Sequence, residues 1–88
     1  MNNFTYEIRQ VDAWNEGEEN SWTWNTSYHI GDFTTSASDH KTAFLHALKK
    51  HGIVCKRGKC KVEYQGDIYE LQDRKTGEPL FAAIPTNF

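Results

Sequence analysis

Only one stretch of this 88-residue chain, residues 37–51, repeats its apolar residues at the spacing of a helix; the other apolar runs alternate. Phe44, Ala47, Leu48 and His51 recur at intervals of three and four, which places them on one helical face. Ser36 can accept a hydrogen bond from the first helical turn, and the charge of Asp39 complements a helix N-terminus. Lys49 and Lys50 suit the last turn, and Gly52 stands where a left-handed cap closes a helix. A helix from Ala37 to His51 is about 22 Å long at 1.5 Å per residue. One such helix covers one face of a four- or five-stranded sheet and no more.

The rest reads as strands. Phe4, Tyr6 and Ile8 alternate with Thr5, Glu7 and Arg9, and Val11 and Ala13 then take the opposite parity, so a bulge is expected near Gln10. After the polar loop 15–21, a second strand runs from Trp22 to about Phe33, with Trp22, Trp24, Tyr28 and Ile30 in phase. The two runs form an antiparallel hairpin. Beyond the helix, Ile53-Val54-Cys55 leads to the loop Lys56–Lys59 and a strand Cys60–Tyr64. Strands at Asp67–Gln72 and Leu80–Ile84 follow, separated by turns at 65–67 and 73–77, with a loosely held tail from Pro85 to Phe88. The expected fold is therefore α+β, in the order β-β-α-β-β-β, with an antiparallel four- to five-stranded sheet and one helix packed on one face.

Length makes residues 1–88 a single small domain, and 14% aromatic residues supply the large side chains that a small core needs. With 25% charged residues and a net charge of only −2, the composition is not that of a disordered chain. No apolar run approaches the roughly 18 residues of a membrane span, and the N-terminus lacks the basic and apolar regions of a secretory signal. The expectation is a soluble, cytoplasmic protein.

Catalysis finds no support in the motifs. No Gly-x-Ser-x-Gly elbow, phosphate-binding loop or dinucleotide fingerprint occurs, and the chain is read as a non-enzyme without a cofactor. His51, Cys55 and Cys60 supply three of the four ligands of a closed zinc site but no Cys-x-x-Cys knuckle, so no metal is expected. His40 and His46 read as a solvated helix face, and His51 as a partly buried helix end. A reducing cytoplasm favours Cys55 and Cys60 as free thiols, although the hairpin between them brings the two within reach of a bridge.

Charge is unevenly spread. Residues 1–40 carry a net −6, residues 41–61 a net +7 with no acid, and residues 62–88 a net −3. Two surfaces follow. Trp14, Trp22 and Trp24 crowd the first hairpin beside Glu16, Glu18 and Glu19; such rings anchor interfaces, and the adjacent acids would repel phosphates, so a protein partner is favoured. The alternative is nucleic-acid binding through Lys49, Lys50, Lys56, Arg57, Lys59 and Lys61. The acidic aromatic hairpin of one copy and the basic patch of another can also pair in a homo-oligomer.

The segments 6–14, Trp22-Thr-Trp-Asn25 and 72–84 resemble a group of short uncharacterised proteins of Gram-positive phages and integrative mobile elements. The resemblance implies an accessory protein of a mobile element that acts by binding a protein partner, for example by inhibiting or modulating a host factor. It implies no catalytic residue.

Overall fold

Among the described residues, alternation builds five strands and the three-and-four repeat builds one helix, arranged around a single sheet. The computed structural model describes residues 3–17, 21–36 and 39–86. The elements are β1 (Asn3–Asn15), β2 (Trp22–Ser36), α1 (His40–Lys50), β3 (Cys60–Gln65), β4 (Ile68–Asp73) and β5 (Pro79–Pro85). The five-stranded sheet has the order β2-β1-β5-β4-β3, and every neighbouring pair is antiparallel. This is the expected α+β arrangement. The helix carries the chain from one edge strand, β2, to the other, β3; the meander β3-β4-β5 then returns to close against β1.

One face of the sheet is the core. Tyr6 and Ile8 of β1, Leu71 of β4 and Ala83 of β5 are buried against Phe44, Ala47 and Leu48 of α1, with Phe33, Val62 and Phe81 packed around them. The helix is shorter than expected at 11 residues: Asp39 is its N-cap, without a side-chain capping bond, and Ser36 belongs to β2. Residues 37–38 lie outside the described residues. Its C-terminus follows the sequence closely. Gly52 at φ +80° donates to Lys49 O and Ile53 donates to Leu48 O, each at 3.0 Å, the paired bonds of a Schellman cap, and Ile53 packs on the core beside it.

The bulge expected near Gln10 lies instead on the partner strand. Ile8 pairs with Gly31 but Arg9 with His29, and Asp12 pairs with Thr26 but Ala13 with Trp24, so Ile30 and Asn25 are extra residues in β2. β1 runs on without interruption, and Val11 is buried on the face away from the helix. Each bulge also switches the facing of β2. Tyr28 therefore pairs with Gln10 on the helix side, while Trp22 and Trp24 pair with Asn15 and Ala13 on the other, so these aromatics are not in phase.

Two more expectations change. His40 is not solvated: its Nδ1 lies 2.6 Å from the Tyr6 hydroxyl, and its ring touches Phe4, Tyr6 and Tyr69. His51 is exposed, with its ring against Gly31, where an added Cβ would meet Nε2 at 2.5 Å. The cysteines are bridged rather than free, with Cα atoms 6.0 Å apart. Closing a loop this short stabilises by about 2 kcal/mol in the chain-entropy account. Residues 53–56 form no strand, and Pro85 pairs with Tyr6 while Thr86 donates to Thr5 O at 2.9 Å.

Candidate functional site

β1 pairs with β5 only over Tyr6–Gln10, so residues 11–15 have β2 as their sole described strand partner. This end of the β1–β2 hairpin passes over the helix-free face of the sheet. Two indole donors hold it there. Trp22 Nε1 donates to Thr76 O in the β4–β5 turn at 3.0 Å, and Trp24 Nε1 donates to Glu70 Oε2 at 2.9 Å. Bulges bend and twist a strand, and the one at Asn25 lies next to this crossing.

Between hairpin and sheet lies a cleft of about 650 Å³. Trp22 and Trp24 wall it, Glu70 and Gln72 of β4 form its floor, and Lys61, Arg74 and Lys75 are its cations. Glu70 and Gln72 are both buried, and Gln72 Nε2 donates to Glu70 Oε1 at 2.9 Å. Lys61 Nζ is 3.5 Å from Glu63, which offsets part of its charge. The β4–β5 turn that carries Arg74 and Lys75 is fixed by Asp73, whose Oδ1 accepts from the backbone amides of Lys75 and Thr76 at 2.9 Å. Those bonds, the Thr76 amide foremost, hold the Asp73 carboxyl below its usual pKa despite some desolvation. The turn is tied to the basic loop: Arg74 N donates to Lys59 O at 2.9 Å.

The sequence-derived surfaces are thus redistributed. Trp22 and Trp24 share the cleft, whereas Trp14 faces the helix side of the hairpin with 43% of its surface exposed. Glu16 is exposed at the hairpin tip, bonded through its amide to Ser21 O, and Glu18 and Glu19 lie outside the described residues. Of the six basic residues, Lys61 lines the cleft and Lys59 flanks Arg74 and Lys75 in an adjoining depression. Lys56 and Arg57 are exposed on the loop before β3. Lys49 and Lys50 belong to the helix layer, Lys49 beside Leu45 and Val54, Lys50 beside His46 and Asp32.

Sequence reasoning missed four cleft residues. It put Glu70 and Gln72 in a strand and Arg74 and Lys75 in a turn, and gave none of the four a part in a site. The available signal was the basic pair itself, in a turn that a β-meander returns toward the basic loop. The bridge takes both sulfurs from the His51, Cys55 and Cys60 zinc candidate, and no cluster of three metal-ligating side chains occurs among the described residues. No described helix is long and apolar enough to cross a membrane. No protein-family model, curated protein or solved structure matches the chain.

Proposed function

We propose that this chain is a non-enzymatic binding module whose cleft takes a single-stranded nucleic acid. The observation that carries the reading is the union of Trp22 and Trp24 with Lys61, Arg74 and Lys75 in one cleft. Stacking on aromatic rings beside cations is how unpaired strands are held without reading sequence. The protein-partner reading leaned on acids next to the tryptophans. Glu16 lies at the hairpin tip, outside the cleft lining, and the one acid of that lining, Glu70, stands against three cations. A mobile-element accessory protein, the setting that the sequence resemblance implies, belongs to the same proposal.

Fluorescence polarisation with labelled single-stranded DNA and RNA tests it. Three to four phosphate contacts predict a loss of about 20- to 50-fold in affinity between 50 and 200 mM salt. Reversing Arg74 to Glu lowers the salt slope by about 0.7 or more. No binding at 50 mM salt would reject the reading and return attention to a protein partner at Trp14, Trp22 and Trp24.

A further inference from the structure

A cleft meant only for phosphates has no use for a carboxylate at its floor, because the charge repels the ligand that its cations attract. Holding Trp24 does not require one either, since a glutamine oxygen also accepts an indole N–H, though less strongly than a carboxylate does. Yet Glu70 occupies that floor, with one bond to each oxygen, Gln72 on Oε1 and Trp24 on Oε2. Each carboxylate oxygen accepts two donors, so each keeps an unused lone pair. Gln72 spends one of its two amide N–H groups on Glu70, so that side chain lines the cleft with both donor and acceptor capacity. The Glu70 carboxylate is therefore the acceptor-only group of the floor, between indole walls, with cations nearby.

A ligand that fits must bring N–H groups to the floor, a flat ring to the walls and negative charge to the cations. Among nucleobases the donor patterns differ. Guanine presents two adjacent donor groups, N1–H and the 2-amino group, at the spacing of the two oxygens of a carboxylate. Adenine and cytosine set one amino group beside a ring nitrogen that accepts, and thymine sets one N–H between two carbonyls; in each case an acceptor would face Glu70. We propose that the cleft selects guanine within a single strand, with the Glu70 carboxylate as the reading group. This rests on the nucleic-acid reading of the same cleft. A buried polar floor left without its donors is what makes such a site discriminate.

The test uses the full chain and labelled dT heptamers whose central base is thymine, guanine, hypoxanthine, adenine or cytosine, at 50 mM salt. Guanine should bind about tenfold more tightly than thymine, and hypoxanthine, which lacks the 2-amino group, should fall between them. Glu70→Gln should abolish the difference, while Trp24→Phe, which leaves the carboxylate in place, should keep guanine ahead. Equal, salt-sensitive affinity for all five heptamers overturns guanine selection and leaves the nucleic-acid reading standing, with Glu70 only a clamp for Trp24. Failure of every heptamer to bind overturns both. The heptamer comparison on the unaltered chain decides the matter even if Glu70→Gln does not fold.

Discussion

Tyr6 shows how one buried polar side chain links packing to solution conditions. Its ring stacks on Phe33 at 5.2 Å in the core, and its hydroxyl meets His40 Nδ1 at 2.6 Å. Burial, and then the nearby Tyr69 and Tyr64 phenols, raise its pKa above the ordinary 10.0. The fold thus favours the neutral phenol. Its contribution is fully present below pH 10 and is lost as the pH rises through the folded value. Tyr6→Phe should cost about 1 kcal/mol at pH 8 through the missing hydrogen bond. The gap between wild type and variant should narrow above pH 10, because phenylalanine does not ionise. Urea unfolding at pH 8 and pH 11 measures both; a gap that widens with pH would contradict the assignment.

At the scale of elements, the Schellman cap offers the cleanest single test. Nothing lies within 4 Å of a Cβ added at Gly52, so Gly52→Ala costs only the left-handed backbone, roughly 1–2 kcal/mol by chemical denaturation. That glycine, the lysines before it and the helical repeat were all legible in the sequence, because local chemistry decides them. The chain order of hairpin, helix and meander was legible as well, but the pairing of β5 with β1 that joins hairpin to meander was not. The bulges were not: Val11 follows Ile8 out of phase in sequence, yet the irregularity sits at Asn25 and Ile30 on the opposite strand. The change of parity in β1 reports that Val11 is buried on the opposite face of an uninterrupted strand, and it carries no signal for bulges in β2. Trp14 was grouped with Trp22 and Trp24 because all three flank the first hairpin loop, and pairing puts it on the other side. Glu70 escaped notice because its partner Trp24 is 46 residues away. Such contacts are set by how the hairpin crosses the sheet, which local pattern does not encode.

For the molecule as a whole, two layers of contact of unequal strength follow from this architecture. The helix-side core joins Tyr6, Ile8, Phe44, Leu48, Leu71 and Ala83 in one cluster, whereas Val11 is buried outside it. The hairpin end comprises 11–15 and 22–27, and among the described residues the Trp22 and Trp24 indoles tie it to the far side of the sheet. Such a unit can open while the core stays folded, since the free energy of local opening follows the contacts that it breaks. Replacing both tryptophans with phenylalanine removes two donors and leaves most of the apolar area, so global stability should fall by only about 1–3 kcal/mol. Amide exchange in 11–15 and 22–27 should accelerate markedly, while amides of Ile8, Leu71 and Ala83 should slow or quicken only with the global change. Those two strand ends are also one wall of the cleft, so any ligand bound there must protect them more than it protects the core. Uniform acceleration across all five strands would mean that hairpin and core open together, and the cleft would then be a rigid feature of a single cooperative unit.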